Sequence, residues 1–173
     1  VLVELRPEVS EPINFAAELN RQYPELEFER SSGEAVYRVK GMTSEIVLKR
    51  SLAHFASKGA LDINTLGEKN VNALIDSGLV KDLADIYSLT KEELLRLDRF
   101  ADISAQKLID AIKEKKQPDM ERFLFGIGIR HVGIQTATDL VEKFHNLKNL
   151  SVATIDDLRQ VDGVGEIVAG SIV

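Results

Sequence analysis

One phased repeat limits what this chain can fold into. The stretch "VDGVGEIVAGSI", residues 161–172, has the pattern apolar, x, Gly, apolar, Gly, three residues, Ala, two residues, apolar. The pattern recurs in "IRHVGIQTATDL", "LDRFADISAQKL" and "INTLGEKNVNAL". The second-glycine position falls at Gly67, Ala101, Gly133 and Gly165, at spacings of 34, 32 and 32 residues. A single Gly-x-Gly between helical stretches is ordinarily a helix stop and a turn. Four in register, with the small and apolar sites kept, define a repeat architecture.

Each copy reads as two helices joined by a tight turn. The second glycine is expected to permit a backbone conformation that other residues resist. The small residue four places on (Val71, Ala105, Ala137, Ala169) lets the helices approach closely. Leu74, Leu108, Leu140 and Ile172, with Leu158 and Val161 on an incoming helix, supply the buried face. The outgoing helix then starts with free N–H groups. With the positive end of the helix dipole these form an anion site, which suits a phosphate of a nucleic-acid backbone.

The net charge of −6 argues against a simple electrostatic nucleic-acid binder. Backbone amides bind phosphate whatever the net charge, and phosphate contacts read no sequence. Binding is therefore expected to be sequence-independent. The copies are unequal. Ala101 replaces the second glycine of the second copy, and Arg99 and His131 stand where a first glycine would. The second copy is expected to be mainly structural. Asp102 and Glu166 would repel phosphate unless they point away.

The rest of the chain is less regular. Residues 1–6, "VLVELR", alternate like a strand, and Pro7 and Pro12 bracket a linker. Within residues 21–45, Leu26 and Phe28, a Ser-Ser-Gly turn, and Val36 to Val39 predict a hairpin. From Glu45 onward the periodicity is helical. Ile46, Leu48, Leu52 and Phe55 begin a helix that Gly59 is expected to cap, and no strand is expected beyond residue 45. There is no cysteine, which excludes disulfides, thiolate metal sites and a cysteine nucleophile. No apolar run approaches the roughly 18 residues of a membrane span, and no signal-peptide pattern opens the sequence. It reads as part of a longer protein.

"FLFGIGIRHVGIQTATDLVEKF", "DINTLGEKNVNALIDSGLVKDLADIYSLTKEELLRL" and "VDGVGEIVAGSI" resemble the C-terminal half of bacterial NAD-dependent DNA ligases, and the repeat resembles the helix-hairpin-helix motif. The resemblance is most specific over residues 54–173. It implies a mainly α fold of four tandem helix-hairpin-helix motifs over 46–173. Before it would come the end of an OB-fold and a linker (1–20) and a zinc-finger-like β-hairpin (21–45).

It also implies a function: gripping nicked duplex DNA from the minor-groove side while other domains seal the nick. Those domains would use NAD as adenylate donor, with magnesium, in the bacterial cytoplasm at the nucleoid. The Lys-x-Asp-Gly signature of the adenylated lysine is absent, so this chain alone is not expected to self-adenylate. The family's four zinc cysteines, counted outward from "GEAVYR", fall on Arg21, Pro24, Val39 and Ser44. Zinc is therefore expected to be absent.

The candidate DNA-binding residues are Gly67, Gly133, Gly163 and Gly165 in the turns, with Lys69, Lys107, Arg130 and His131 beside them. His54 reads as a packing histidine. His145 stands at a helix end, where it would meet the dipole. Phe123, Phe125 and Phe144 read as core, and "KEKK" at 113–116 as a solvated helix end. Two other readings stay open: a standalone helix-hairpin-helix module of a repair or recombination protein, and an all-α protein-interaction module that has lost DNA binding.

Overall fold

The computed structural model describes residues 14–22, 24, 27–30, 38–40 and 44–173. The chain divides into two compact units, residues 1–44 and 45–173. The expected strand at 1–6, the bracketing prolines, the Ser-Ser-Gly turn and most of "GEAVYR" lie outside the described residues.

In the first unit the expected linker gives way to a helix, α1 (Phe15–Gln22), which runs across the expected boundary at residue 20. Asn14 caps it, accepting the Ala17 N–H at 3.1 Å. Glu18 pairs with Arg21 one turn on and holds its own carboxyl below the usual range through that bond. The expected hairpin is present as a backbone pairing. Strands β1 (Glu27–Glu29) and β2 (Arg38–Lys40) run antiparallel with Phe28 opposite Val39.

The second unit is helical throughout. Helix α2 (Ser44–Phe55) buries Leu52 and Phe55. It stops at Phe55 rather than at Gly59 because the returning chain satisfies its last carbonyls. The Leu61 N–H donates to Phe55 O at 3.1 Å and the Ile63 N–H to Ala56 O at 3.0 Å. Gly59 lies in the intervening turn.

After it come α3 (Glu68–Asp76), a 3₁₀ turn (Ala84–Ser88), α4 (Lys91–Leu94) and α5 (Asp102–Glu114). The sequence of elements then repeats with α6 (Met120–Gly126), α7 (Ile134–Phe144), α8 (Leu147–Ser151), α9 (Ile155–Leu158) and α10 (Glu166–Ile172). The incoming and outgoing helices pair as α2 with α3, α4 with α5, α6 with α7, and α9 with α10. The four hairpins thus fall into two tandem pairs, each with its own buried cluster. Leu52 to Ile112 make one and Leu124 to Ala169 the other. The repeat sites fill these clusters: Val71, Ala105, Ala137 and Ala169 are at most 1% exposed, and Leu74, Leu108 and Leu140 are 0% exposed.

Helix α6 joins the two pairs. Phe123 packs edge-on against Phe55 of α2, and His54 Nε2–H donates to Phe125 O at 2.8 Å, with its ring edge-on to Phe125. His54 is thus a packing residue, as expected. Arg122 Nη2 donates to Lys58 O at 2.8 Å. The chain turns away from α6 at Gly128, two residues past its end, where a φ of +71° is free of strain for glycine.

The short incoming helices α4 and α9 cannot stabilise themselves by length. Each is fixed by reciprocal capping. Thr90 Oγ1 accepts the Glu93 N–H at 3.3 Å while Glu93 Oε2 accepts the Thr90 N–H at 2.9 Å. Thr154 and Asp157 repeat this at 3.2 and 3.0 Å. These bonds favour the charged carboxylates. Glu93 is lowered first by the Thr90 backbone and Asp157 first by the Thr154 side chain.

Because the folded values are depressed, the stabilisation is present above the ordinary values of 4.5 and 3.8 and is lost as pH falls below them. Thr90→Ala and Thr154→Ala are each expected to cost about 1 kcal/mol at neutral pH. The double variant should show a shallower loss of melting temperature between about pH 5 and pH 3 than the unaltered chain, measured by circular dichroism.

Candidate nucleic-acid interface

Each outgoing helix begins from an extended residue. The backbone angles are φ −80°, ψ 171° at Gly67, φ −100°, ψ 170° at Ala101, φ −85°, ψ 178° at Gly133 and φ −83°, ψ −179° at Gly165. Any residue adopts these values. The expectation that the second glycine supplies a restricted conformation is therefore corrected. The left-handed residue is the one two places earlier: Thr65 (φ 75°), His131 (φ 67°) and Gly163 (φ 73°). Only in the fourth turn does a glycine meet that need, and Arg99 of the second turn is not among the positive-φ residues.

The second glycine needs another reason, and packing does not supply it. A Cβ built at Gly67, Gly133 or Gly165 meets nothing within 4 Å. Ala101 already carries a Cβ in the same conformation. No side chain caps α3, α7 or α10. The first N–H groups of these helices therefore open onto unobstructed space, which a side chain at the glycine would partly fill. A glycine that the fold does not require fits a site where the backbone approaches an external group closely. The second turn differs. Ser104 Oγ accepts the Ala101 N–H at 2.9 Å and donates to Ala101 O at 3.0 Å, which takes up that one amide while the first N–H groups of α5 stay without a side-chain cap. Asp102 is drawn to Lys91, 2.7 Å away.

The side chains named from the sequence are not all brought to the turns. Lys69 lines a depression of about 430 Å³ at the first turn, together with Thr65, Gly67, Glu68, Asn70 and Arg99. Arg130 and His131 are exposed on the third turn. Lys107 is exposed but lies in the second turn of α5, roughly 9 Å along the axis from Ala101. Gly163 and Gly165 line a depression of about 600 Å³ at the fourth turn, where Arg159 adds a cation and Asp162 a carboxylate. Sequence reasoning missed Arg159 because it precedes the turn rather than following it.

His145 contributes through its backbone: it ends α7 in the left-handed conformation, φ 66°, its N–H donating to Val141 O at 2.8 Å. Phe144 is buried, and Phe123 and Phe125 are partly buried against the clusters.

Two apolar side chains are exposed at matching places. Ile103 and Ile167, each two residues past the extended residue of the second hairpin in its pair, are 70% and 75% exposed. The first hairpin of each pair carries Lys69 or Gln135 there.

The positions of the expected zinc ligands hold a guanidinium, a pyrrolidine ring, an isopropyl group and a hydroxyl (Arg21, Pro24, Val39, Ser44). That donor set does not fit tetrahedral zinc. Among the described residues, no group of histidines and carboxylates is placed to hold a metal ion.

Residues 58–114 match the family model of the SAM-like helix-hairpin-helix tandem, and residues 122–173 that of the helix-hairpin-helix motif. These ranges are close to the two buried clusters. The chain is also similar to curated DNA ligases. It is 43% identical over 144 residues to that of Trichlorobacter lovleyi, 42% over 141 to that of Leuconostoc mesenteroides, and 43% over 146 to that of Methylacidiphilum infernorum. The alignments cover 83%, 82% and 84% of this chain and 21% of each relative. The chain spans about a fifth of the length of the curated relatives it matches.

Proposed function

We infer that this chain, with its helix-hairpin-helix motifs in two tandem pairs, is the DNA-binding region of a DNA ligase. It holds duplex DNA by aiming backbone N–H groups at phosphates. One observation carries this reading: Gly67, Gly133 and Gly165 precede uncapped helices, and neither their backbone angles nor their packing calls for glycine. A phosphate approaching the helix start does call for it. Lys69 and Arg130 flank the open turns and add charge there, with His131 beside Arg130.

The finer reading rests on the resemblance to NAD-dependent ligases. The duplex is nicked, and the hairpins hold it for adenylation and OB-fold domains that use NAD and magnesium. The work takes place in the bacterial cytoplasm. Residues 1–20 hold the end of an OB-fold and the linker after it. Residues 21–45 stand in place of a zinc finger without binding zinc, because the donor set does not support it.

Fluorescence anisotropy of the chain against a labelled nicked duplex tests this reading. Affinity should be independent of base sequence. It should fall linearly on a log–log plot against salt, with a slope of about −0.9 per phosphate engaged. Absence of binding at low salt would overturn the assignment.

A further inference from the structure

Among the described residues, two of the most exposed apolar side chains stand at equivalent places in the repeat. Ile103 is the second residue of α5 and Ile167 the second of α10, and they are 70% and 75% exposed. A lone apolar side chain on a surface is ordinary. Two in the same register, each in the second hairpin of its pair, are not scatter. Neither belongs to a buried cluster or packs against one. Isoleucine is also a poorer helix former than lysine or glutamine, which hold this place in the first hairpins as Lys69 and Gln135. The fold therefore gains nothing from isoleucine there.

Their position says what they can meet. A helical side chain leans toward the N-terminus of its helix and covers the turn before it. Ile103 and Ile167 thus lean toward the helix starts, where the DNA-binding reading places a phosphate. In a nucleic acid the group one ester oxygen away from that phosphate is a sugar. We propose that Ile103 and Ile167 pack on deoxyribose and make the chain select DNA over RNA in the duplex it holds. The inference rests on the DNA-binding reading and adds to it a choice of sugar that phosphate contacts cannot make. Deoxyribose offers an isoleucine side chain a carbon surface. Ribose would press its 2′-hydroxyl against a side chain with no donor or acceptor, and a hydroxyl stripped of water without a partner is costly. A-form duplexes display those hydroxyls along the minor groove. Lys69 and Gln135 are polar and impose no such penalty, so the selection resides in the second hairpin of each pair.

The test is anisotropy titration of the chain against labelled nicked duplexes of one sequence, all DNA or with RNA in either strand. The proteins are the unaltered chain, the double variant Ile103→Ala/Ile167→Ala, the double variant Ile103→Val/Ile167→Val, and Gly165→Asp as a phosphate-site control. The unaltered chain should favour DNA about tenfold over the weaker-bound hybrid. The alanine pair should weaken binding to DNA about fivefold and to that hybrid little, which narrows the preference to about twofold. Its salt slope should not change, because no phosphate contact is lost. The valine pair keeps branched apolar surface and should keep most of the preference. Gly165→Asp should weaken binding to all three duplexes and leave the preference as it was. Both isoleucines are exposed, so thermal melts of the alanine pair should not move. A preference unchanged by the alanine pair would overturn the sugar contact while leaving the ligase reading intact. Unchanged binding with self-association lost in sedimentation would assign the isoleucines to a protein contact and overturn it as well. No DNA binding by the unaltered chain would overturn both.

Discussion

Aspartate at Gly133 and Gly165 together should leave the fold as stable as before, or slightly more stable, and remove most of its DNA affinity. Both positions are extended and a Cβ there meets nothing. Aspartate is among the best residues at a helix start and is slightly better there than glycine, by a few tenths of a kcal/mol. Its charge also suits the helix dipole, adding about 0.3–1 kcal/mol per helix. The same carboxylate would take up N–H groups assigned to phosphate and put a negative charge in their place. Losing about 1.4 kcal/mol at each of two turns corresponds to a fall of roughly 100-fold in affinity. The salt slope should shrink by about two phosphates' worth. Thermal melts and anisotropy on one protein preparation separate the two effects. A variant that melts higher and still binds DNA as before would show that these turns serve only to start helices.

The separation is sharp because strain plays no part in it. A β-branched residue at Gly165 would also block the turn, but not by forcing the backbone, since φ there is −83°. Substitution at Gly163, with φ of +73°, is the change that strains the backbone.

This difference marks where sequence reasoning stops. The buried sites of the repeat were legible because burial recurs in phase. A position filled by Val71, Ala105, Ala137 or Ala169 tells where two helices touch. Which of two glycines is left-handed was not legible, because glycine is compatible with either conformation. Thr65 and His131 in that conformation show that the turn imposes the angle even without glycine.

Helix α1 was missed because the flanking prolines suggested a linker, although Asn14 and the Glu18–Arg21 pair are local helix signals. The capping boxes at Thr90 and Thr154 were also readable as Thr-x-x-acid and were passed over. The bond from Arg99 Nε to Asn70 Oδ1 was out of reach, since it depends on how one copy packs on the next. The division into two tandem pairs likewise follows from α6 meeting α2, a contact no repeat pattern encodes.

That contact carries the second large prediction. Gly126 is the last residue of α6, and a Cβ there would lie 2.9 Å from Leu61 Cδ1 and 3.3 Å from both Ala60 Cβ and Phe55 Cδ2. Gly126→Leu adds four carbons where one already collides. Overpacking of this kind costs about 3 kcal/mol. Gly170→Leu makes the same change on α10, where a Cβ meets nothing, and should be neutral or stabilise by about 0.5–1 kcal/mol through helix propensity.

The loss at Gly126 should also reach DNA binding. Each pair keeps its own buried cluster, but the two no longer hold a fixed spacing, and a duplex spanning both gains less from the second contact than from a rigid pair. A urea melt should move for Gly126→Leu and not for Gly170→Leu. Anisotropy should show about a tenfold weakening for the first alone, with an unchanged salt slope at saturation because every cradle survives. A lower melt with DNA affinity retained would mean that the pairs engage the duplex independently and that α6 joins them for stability only.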